Sequence, residues 1–188
     1  MKYIAAISDA DILIHLAKAN ALDILPLLFE KIIIPKYVFE LEIKAHAGSY
    51  LSVIEQYIGN DKLLRVEDRE SDRVVNLLAK PIIEDKRIMV GRGESECAGY
   101  ATAMGIPIII SDNENEFKYF EEYVMLTYYN ILTLLVYWSH LDQEMAKSKY
   151  EDVNNILGHP SGKTFEIRQR DTLNKIKINE WEKPLGFL

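Results

Sequence analysis

Two short apolar runs in this chain each stop on an aspartate, with helical patterns filling the distance between them. Tyr3–Ser8 (YIAAIS) runs into Asp9, and 107–110 (PIII) runs into Ser111-Asp112. A brief apolar run without alternation predicts a strand covered on both faces. Three more such runs, at 31–34 (KIII), 63–66 and 123–126, predict further strands. Helical spacing of Ile12, Leu13, Leu16 and Ala17 predicts a helix over 9–19, and a second short one follows at 22–29. Pro35 suits a helical first turn, and Val38, Leu41, Ile43 and Ala45 continue from it. Helices are also predicted at 49–58 (closed by Gly59-Asn60), at 71–79 (broken by Pro81), at 94–104 (stopped by Gly105) and at 114–122. Strands that alternate with helices must pair in parallel, since each return crosses a face of the sheet. The expected class is therefore α/β, a three-layer sandwich around a central parallel sheet of four to five strands.

Beyond 130 the alternation ends. Helices are predicted at 131–145 and 150–157, then a turn cluster Gly158-His159-Pro160-Ser161-Gly162, then a mixed tail over 164–188. One domain over 1–130, carrying a helical C-terminal extension over 131–188 packed on it, is the expected organisation.

In a parallel sheet, ligands sit in the crevice beyond the carboxyl ends of the strands. Four acids have places there. Asp9 follows the first strand and Asp112 the fourth, Glu40 lies in the first turns of the helix after the second strand, and Glu96 opens the helix before the fourth. Taken singly, Asp9 and Asp112 read as helix caps, because a helix N-terminus favours negative charge. Taken together, carboxylates converging without cationic partners would repel unless cations bind among them. Oxygen ligands select hard ions, so Mg²⁺ or Mn²⁺ is expected. Asp9 and Asp11 are two apart and so point about 200° apart on a helix, which leaves only one of them for a given ion. Asp9, at the strand end, is the better placed. Glu94 and Glu96 pose the same choice, and periodicity does not settle it.

Charge and composition narrow the classes further. With 29 acids against 22 bases the net charge is −7, which opposes avid nucleic-acid binding. A cleft built for metal ions, however, concentrates acids that the ions then offset. Bases gather at Lys62, Arg65, Arg69 and Arg73, and again at Lys80, Lys86, Arg87 and Arg92, in the manner of a solvated surface. The single cysteine, Cys97, excludes an internal disulfide and a cysteine-built zinc site, and reads as a small buried filler. No apolar run approaches the roughly 18 to 20 residues of a membrane span, and acids follow the N-terminus at once, so a cytoplasmic location is expected. His15, His46, His140 and His159 lack ligand spacing. Gly91-Arg92-Gly93 has no Lys-Ser/Thr after it and reads as a loop, with Arg92 a candidate phosphate contact. The rings of Tyr119, Phe120, Tyr123, Tyr128, Tyr129, Tyr137 and Trp138 read first as helix packing.

ISDADILIHLAK, IIIPKYVFELEI and GRGESECAGYATAMGIPIIISDNE, in that order, resemble the PIN domain family over about residues 3–126. The matching elements are Asp9-Ala10-Asp11 with its apolar run, Pro35 with Val38 and Glu40, Gly93-Glu94-Ser95-Glu96 (similar to a subgroup with a GE-x-E third motif), and Ser111-Asp112. The resemblance implies a Mg²⁺- or Mn²⁺-dependent endoribonuclease related to VapC-like toxins. It implies Asp9, Glu40, Glu96 and Asp112 as metal-holding catalytic residues. Register against the family's acid–small pattern selects Glu96 over Glu94. Ser8, Asp11, Glu94 and Ser111 would support them. RNA as substrate, an antitoxin protein as partner and a homodimer are expectations of the same origin. Two rivals remain: a catalytically silent PIN-like interaction module, suggested by the acidic charge and the long tail, and a phospho-acceptor receiver. The receiver needs a Lys after its last strand, where Leu126-Thr127-Tyr128 stands.

Overall fold

A computed structural model describes residues 2–59, 61–158 and 162–179. Asn60, the middle of the 158–162 turn cluster and the tail beyond 179 lie outside the described residues. The chain opens with β1 (Tyr3–Ser8) and α1 (Ala10–Lys18), then a 3-10 turn and α2 (Leu25–Leu28). Next come β2 (Phe29–Pro35), a π-helical turn (Val38–Ile43), α3 (Lys44–His46) and α4 (Leu51–Glu55). β3 (Leu64–Glu67), α5 (Arg73–Lys86), α6 (Arg92–Met104) and β4 (Ile108–Ile110) follow. A 3-10 segment (Glu114–Tyr119) leads to β5 (Val124–Leu126), and α7 (Tyr128–Tyr137), α8 (Gln143–Ile156) and α9 (Phe165–Asn179) close the chain.

All five strands pair in parallel in the order β3-β2-β1-β4-β5. Ala6, Ile7, Ile32, Ile34, Ile108 and Ile110 are fully buried, as strands covered by helices on both faces require. The chain winds outward one way from β1 through β2 to β3, then the other way through β4 to β5. β1 is therefore the switch point, and its carboxyl end opens into the crevice such sheets use for ligands. The expected three-layer α/β class holds.

Several predicted boundaries move, each for a local reason. Pro81 does not end a helix: α5 continues through it to Lys86. The carbonyl that loses its donor belongs to Leu77, a residue 72% exposed, so water can serve it. The predicted helix at 131–145 divides in two. α7 stops at Tyr137, Ser139 adopts a left-handed φ of 58°, and Asp142 starts α8 by accepting the Met145 N–H at 2.8 Å. The segment at 114–122 is a 3-10 turn rather than an α-helix. The apparently mixed tail contains α9, whose Phe165, Thr172 and Ile176 are buried.

The last three helices pack on the sheet domain: α7 against α2 and α9, and α8 against α1. Phe165 stacks beside Tyr150, which stacks on Tyr128, so these aromatic rings are spent on helix packing. No helix among the described residues is long and apolar enough to cross a membrane.

α5 and α6 approach closely because Gly99 presents no side chain. A Cβ there would stand 2.8 Å from Ile83 Cδ1 and 3.0 Å from the Ala79 carbonyl. Gly99→Ala should therefore destabilise the fold by about 1–3 kcal/mol, the range for overpacking a close contact. Urea denaturation would read this as a lower midpoint at unchanged slope.

Candidate active site

Asp9 is positioned by two elements at once. Its backbone continues β1 by donating to the Ile110 carbonyl of β4, while its side chain caps α1 by accepting the Ala10 N–H at 2.8 Å. The Ser111 hydroxyl donates to the other carboxylate oxygen at 3.1 Å. Ser111 also accepts the Asn113 N–H, which shapes the turn after β4. Ser8, expected beside it in support, donates to the Asp9 carbonyl and is not turned to the carboxylate.

Asp9 is 3% exposed, and the neighbouring charges that act on it are carboxylates. Burial pushes its pKa well above the usual carboxylate range, and Glu94, Asp11 and Glu42 push in the same direction, against the Ala10 N–H. Burial also raises Glu42 to about 7, aided by Glu94 and Asp11. Glu116, from the 3-10 segment, is raised by burial and by Glu94, which it faces. Asn113 Nδ2 donates to Glu94 Oε1 at 3.0 Å and fixes that side chain. The structure therefore gathers Asp9, Asp11, Glu42 and Glu94, with Glu116 behind them.

The sequence-based set is brought together only in part. Glu40 points outward, 42% exposed, and pairs with Lys44 at 2.7 Å. Glu42 takes the inward position. The reason is the π turn, in which the Lys44 N–H reaches back to the Phe39 carbonyl and widens the helix by a residue. Two residues apart on a helix, Glu40 and Glu42 cannot both face Asp9. The interval between Val38 and Ile43, both fully buried, is the sequence trace of that turn. Glu94 and Glu96 divide in the same manner. Glu94 faces Asp9, whereas Glu96 is held by Arg69 Nε at 3.2 Å and stands 3.9 Å from Arg92 Nε. Asp112 accepts from Tyr128 N–H at 3.0 Å and pairs with His15 at 2.9 Å, so it anchors α7 to α1. Glu42 and Glu116 are the residues that sequence reasoning missed. Nothing in the Glu114-Asn115-Glu116 triplet marks one acid as inward.

Gly93 opens space for this arrangement. A Cβ there would lie 2.7 Å from Glu42 Cδ, and the Gly93 backbone N–H holds the Glu42 carboxylate. A cleft of about 230 Å³ is lined by Tyr37, Glu40, Arg69, Arg92, Glu96 and Tyr100, so Glu40 and Glu96 share it while Asp9, Asp11, Glu42 and Glu94 do not line it. Arg92 lies over the Tyr37 ring at 4.1 Å. The Tyr100 hydroxyl accepts the Arg69 N–H and donates to the Glu67 carbonyl, tying the loop after β3 to α6. Cys97 lies buried beneath the acids, its thiol 3.5 Å from the Ser8 carbonyl.

The donor set is all oxygen, as a hard divalent ion requires. Among the described residues no group of three or more Asp, Glu, His or Cys side chains is placed to hold a metal ion. An open set still suits Mg²⁺, which keeps several waters and uses one or two carboxylates directly.

A family model described as DUF3368, a PIN domain, matches residues 5–136. Among solved structures, the chain is similar to VapBC2 from Rickettsia felis bound to a DNA fragment from their promoter, at 15% identity and a TM-score of 0.45, over 66% of this chain and 98% of that one. No curated protein matches it.

Asp9 and Glu42 bind protons more tightly folded than unfolded, so the metal-free fold should lose stability as pH rises. For Glu42 the loss runs from its ordinary 4.5 towards about 7. Urea midpoints measured at several pH values should fall across this window, and less steeply in Glu42→Gln. Midpoints that rise across it would contradict the clustering of like charge.

Proposed function

Because this chain belongs to the PIN domain family, by its match over residues 5–136, we propose that it is a divalent-metal-dependent endoribonuclease. Proteins of this family are generally nucleases, so hydrolysis of nucleic acid is the starting point. The observation that carries the proposal is the buried Asp9 carboxylate, surrounded by Glu94, Asp11 and Glu42. Such a group of like charges is costly unless cations enter it.

We assign the ion to the neighbourhood of Asp9, Glu42 and Glu94, one or two of which would hold it directly, with Asp11 beside them. When bound, Mg²⁺ or Mn²⁺ would activate a water and offset charge on the phosphate oxygens. The chain's own part is positional. Ser111 and the Ala10 N–H hold the Asp9 carboxylate, Asn113 holds Glu94, and the Gly93 N–H holds Glu42. Uptake of the ion must expel the protons that Asp9 and Glu42 retain, so affinity weakens as pH falls. Arg92, braced on Tyr37 at the lip of the cleft, offers its guanidinium to a backbone phosphate. RNA, single-stranded or structured, is the proposed substrate, the cytoplasm the proposed location, and an antitoxin the proposed partner. We take 1–130 as the nuclease domain and 131–188 as an extension packed on it.

A second reading, a silent interaction module of the same fold, has one observation in its favour. α5 exposes Val74, Leu77 and Leu78 on one face, with Ile88 and Met89 beyond it, as a surface that binds another protein would. Mn²⁺ titration separates the two, since a silent module takes up no ion.

Asp9→Asn should abolish Mn²⁺-dependent cleavage of single-stranded RNA while the circular dichroism spectrum is kept. Glu42→Gln should cost about 10- to 100-fold, the scale for groups that hold or orient a metal. Glu40→Gln, altering an exposed pair with Lys44, should change little. Full activity in the Asp9 variant would sink the assignment, and the reverse order for Glu40 and Glu42 would restore the sequence-based ligand.

A further inference from the structure

The segment beyond residue 136 lies outside the family match, yet it reaches the rim of the acidic site. The contact is made by Arg168 of α9. Its guanidinium meets both carboxylate oxygens of Glu114, at 3.3 and 3.4 Å, and its Nη1 donates to the Tyr129 hydroxyl at 3.3 Å. The same group lies over the Tyr129 ring, 4.4 Å from its centroid, and is only 17% exposed. A two-point guanidinium–carboxylate contact braced on an aromatic face fixes direction as well as distance.

What Arg168 grips is the connection between β4 and β5. Glu114 begins the 3-10 segment, one residue after Asn113 and two before Glu116. Asn113 donates to Glu94, and Glu116 faces the same carboxylate. This connection is a 3-10 turn with none of its residues from Glu114 to Tyr119 buried; besides Arg168 it is held by the Gly91 N–H on the Glu116 carboxylate and by Lys86 on the Tyr119 carbonyl. α9 itself is firmly seated. Phe165 packs on Tyr150, Thr172 accepts the Asn130 side-chain N–H at 2.8 Å, and Gln143 and Gln169 exchange two amide hydrogen bonds.

We propose that Arg168 is a positioning residue for the acidic site: through Glu114 the C-terminal helix holds Asn113 and Glu116 against Glu94, and so sets the site's affinity for a divalent cation. The proposal rests on the divalent reading above. It gives the extension a part in the site that its distance along the chain conceals.

Calorimetric titration of the full chain with MnCl₂ tests it. Glu114→Gln leaves Arg168 on Tyr129 and α9 in its seat, but removes the charge that ties the loop. It should weaken Mn²⁺ binding about tenfold or more, as loss of groups supporting metal ligands does. Arg168→Ala should do the same, and Arg168→Lys should fall between, since an ammonium cannot make the two-point contact. The exchange Glu114→Arg with Arg168→Glu should recover most of the loss, which a merely destabilised fold would not do. Wild-type affinity in Glu114→Gln, or no recovery in the exchanged pair, overturns the proposal. A wild-type chain that takes up no Mn²⁺ would overturn the divalent reading itself.

Discussion

Asp9 closes the central strand with its carboxylate almost wholly out of water, and much of the molecule is arranged to make that tolerable. A buried carboxylate needs hydrogen bonds or cations, and it has one N–H from α1 and one hydroxyl from the turn after β4. The like charges of Glu94, Asp11 and Glu42 then raise its affinity for protons. The parallel order makes this convergence unavoidable. With β1 between β2 and β4, the segments leaving all three strands meet at one rim.

The acids of that rim are sorted by the basic side chains beside them. Glu96 has Arg69 and Arg92, Asp112 has His15, and Glu40 has Lys44. Glu96 thereby links α6 to the loop after β3, and Asp112 links α7 to α1. Glu94, Asp11 and Glu42 instead act on Asp9 as like charges. Net charge alone conceals this division, because paired and unpaired acids count equally in it.

The sheet was legible in the sequence because burial on both faces leaves a plain mark: short aliphatic runs, each ending at a turn. Asp9 was legible for the same reason, since a strand end fixes its position. Glu42 was not. Choosing it over Glu40 depends on a π turn whose only trace is the five-residue interval between Val38 and Ile43, and an α-helical reading passes over it. Glu94 and Glu96 lie on opposite sides of a helix, and the sequence does not show that Arg69 falls beside Glu96. Pro81 was read as a breaker because the sequence does not show that the Leu77 carbonyl faces water. Arg168 and Glu114 are 54 positions apart, and no local pattern relates them.

The order of the strands also bears on how the chain is made. β1 is first to be synthesised, but its second neighbour is β4, with Ile7 opposite Ile109 and Ser8 opposite Ile110. At about 5 to 20 residues per second, roughly a hundred residues take on the order of 5 to 20 s to appear. Through that interval β1 has one edge uncovered, and Asp9 has neither its β4 partner nor Ser111. The nascent protein therefore passes through a stage with its sheet half built and its acids still dispersed. Any activity these acids confer begins only once synthesis has passed the fourth strand.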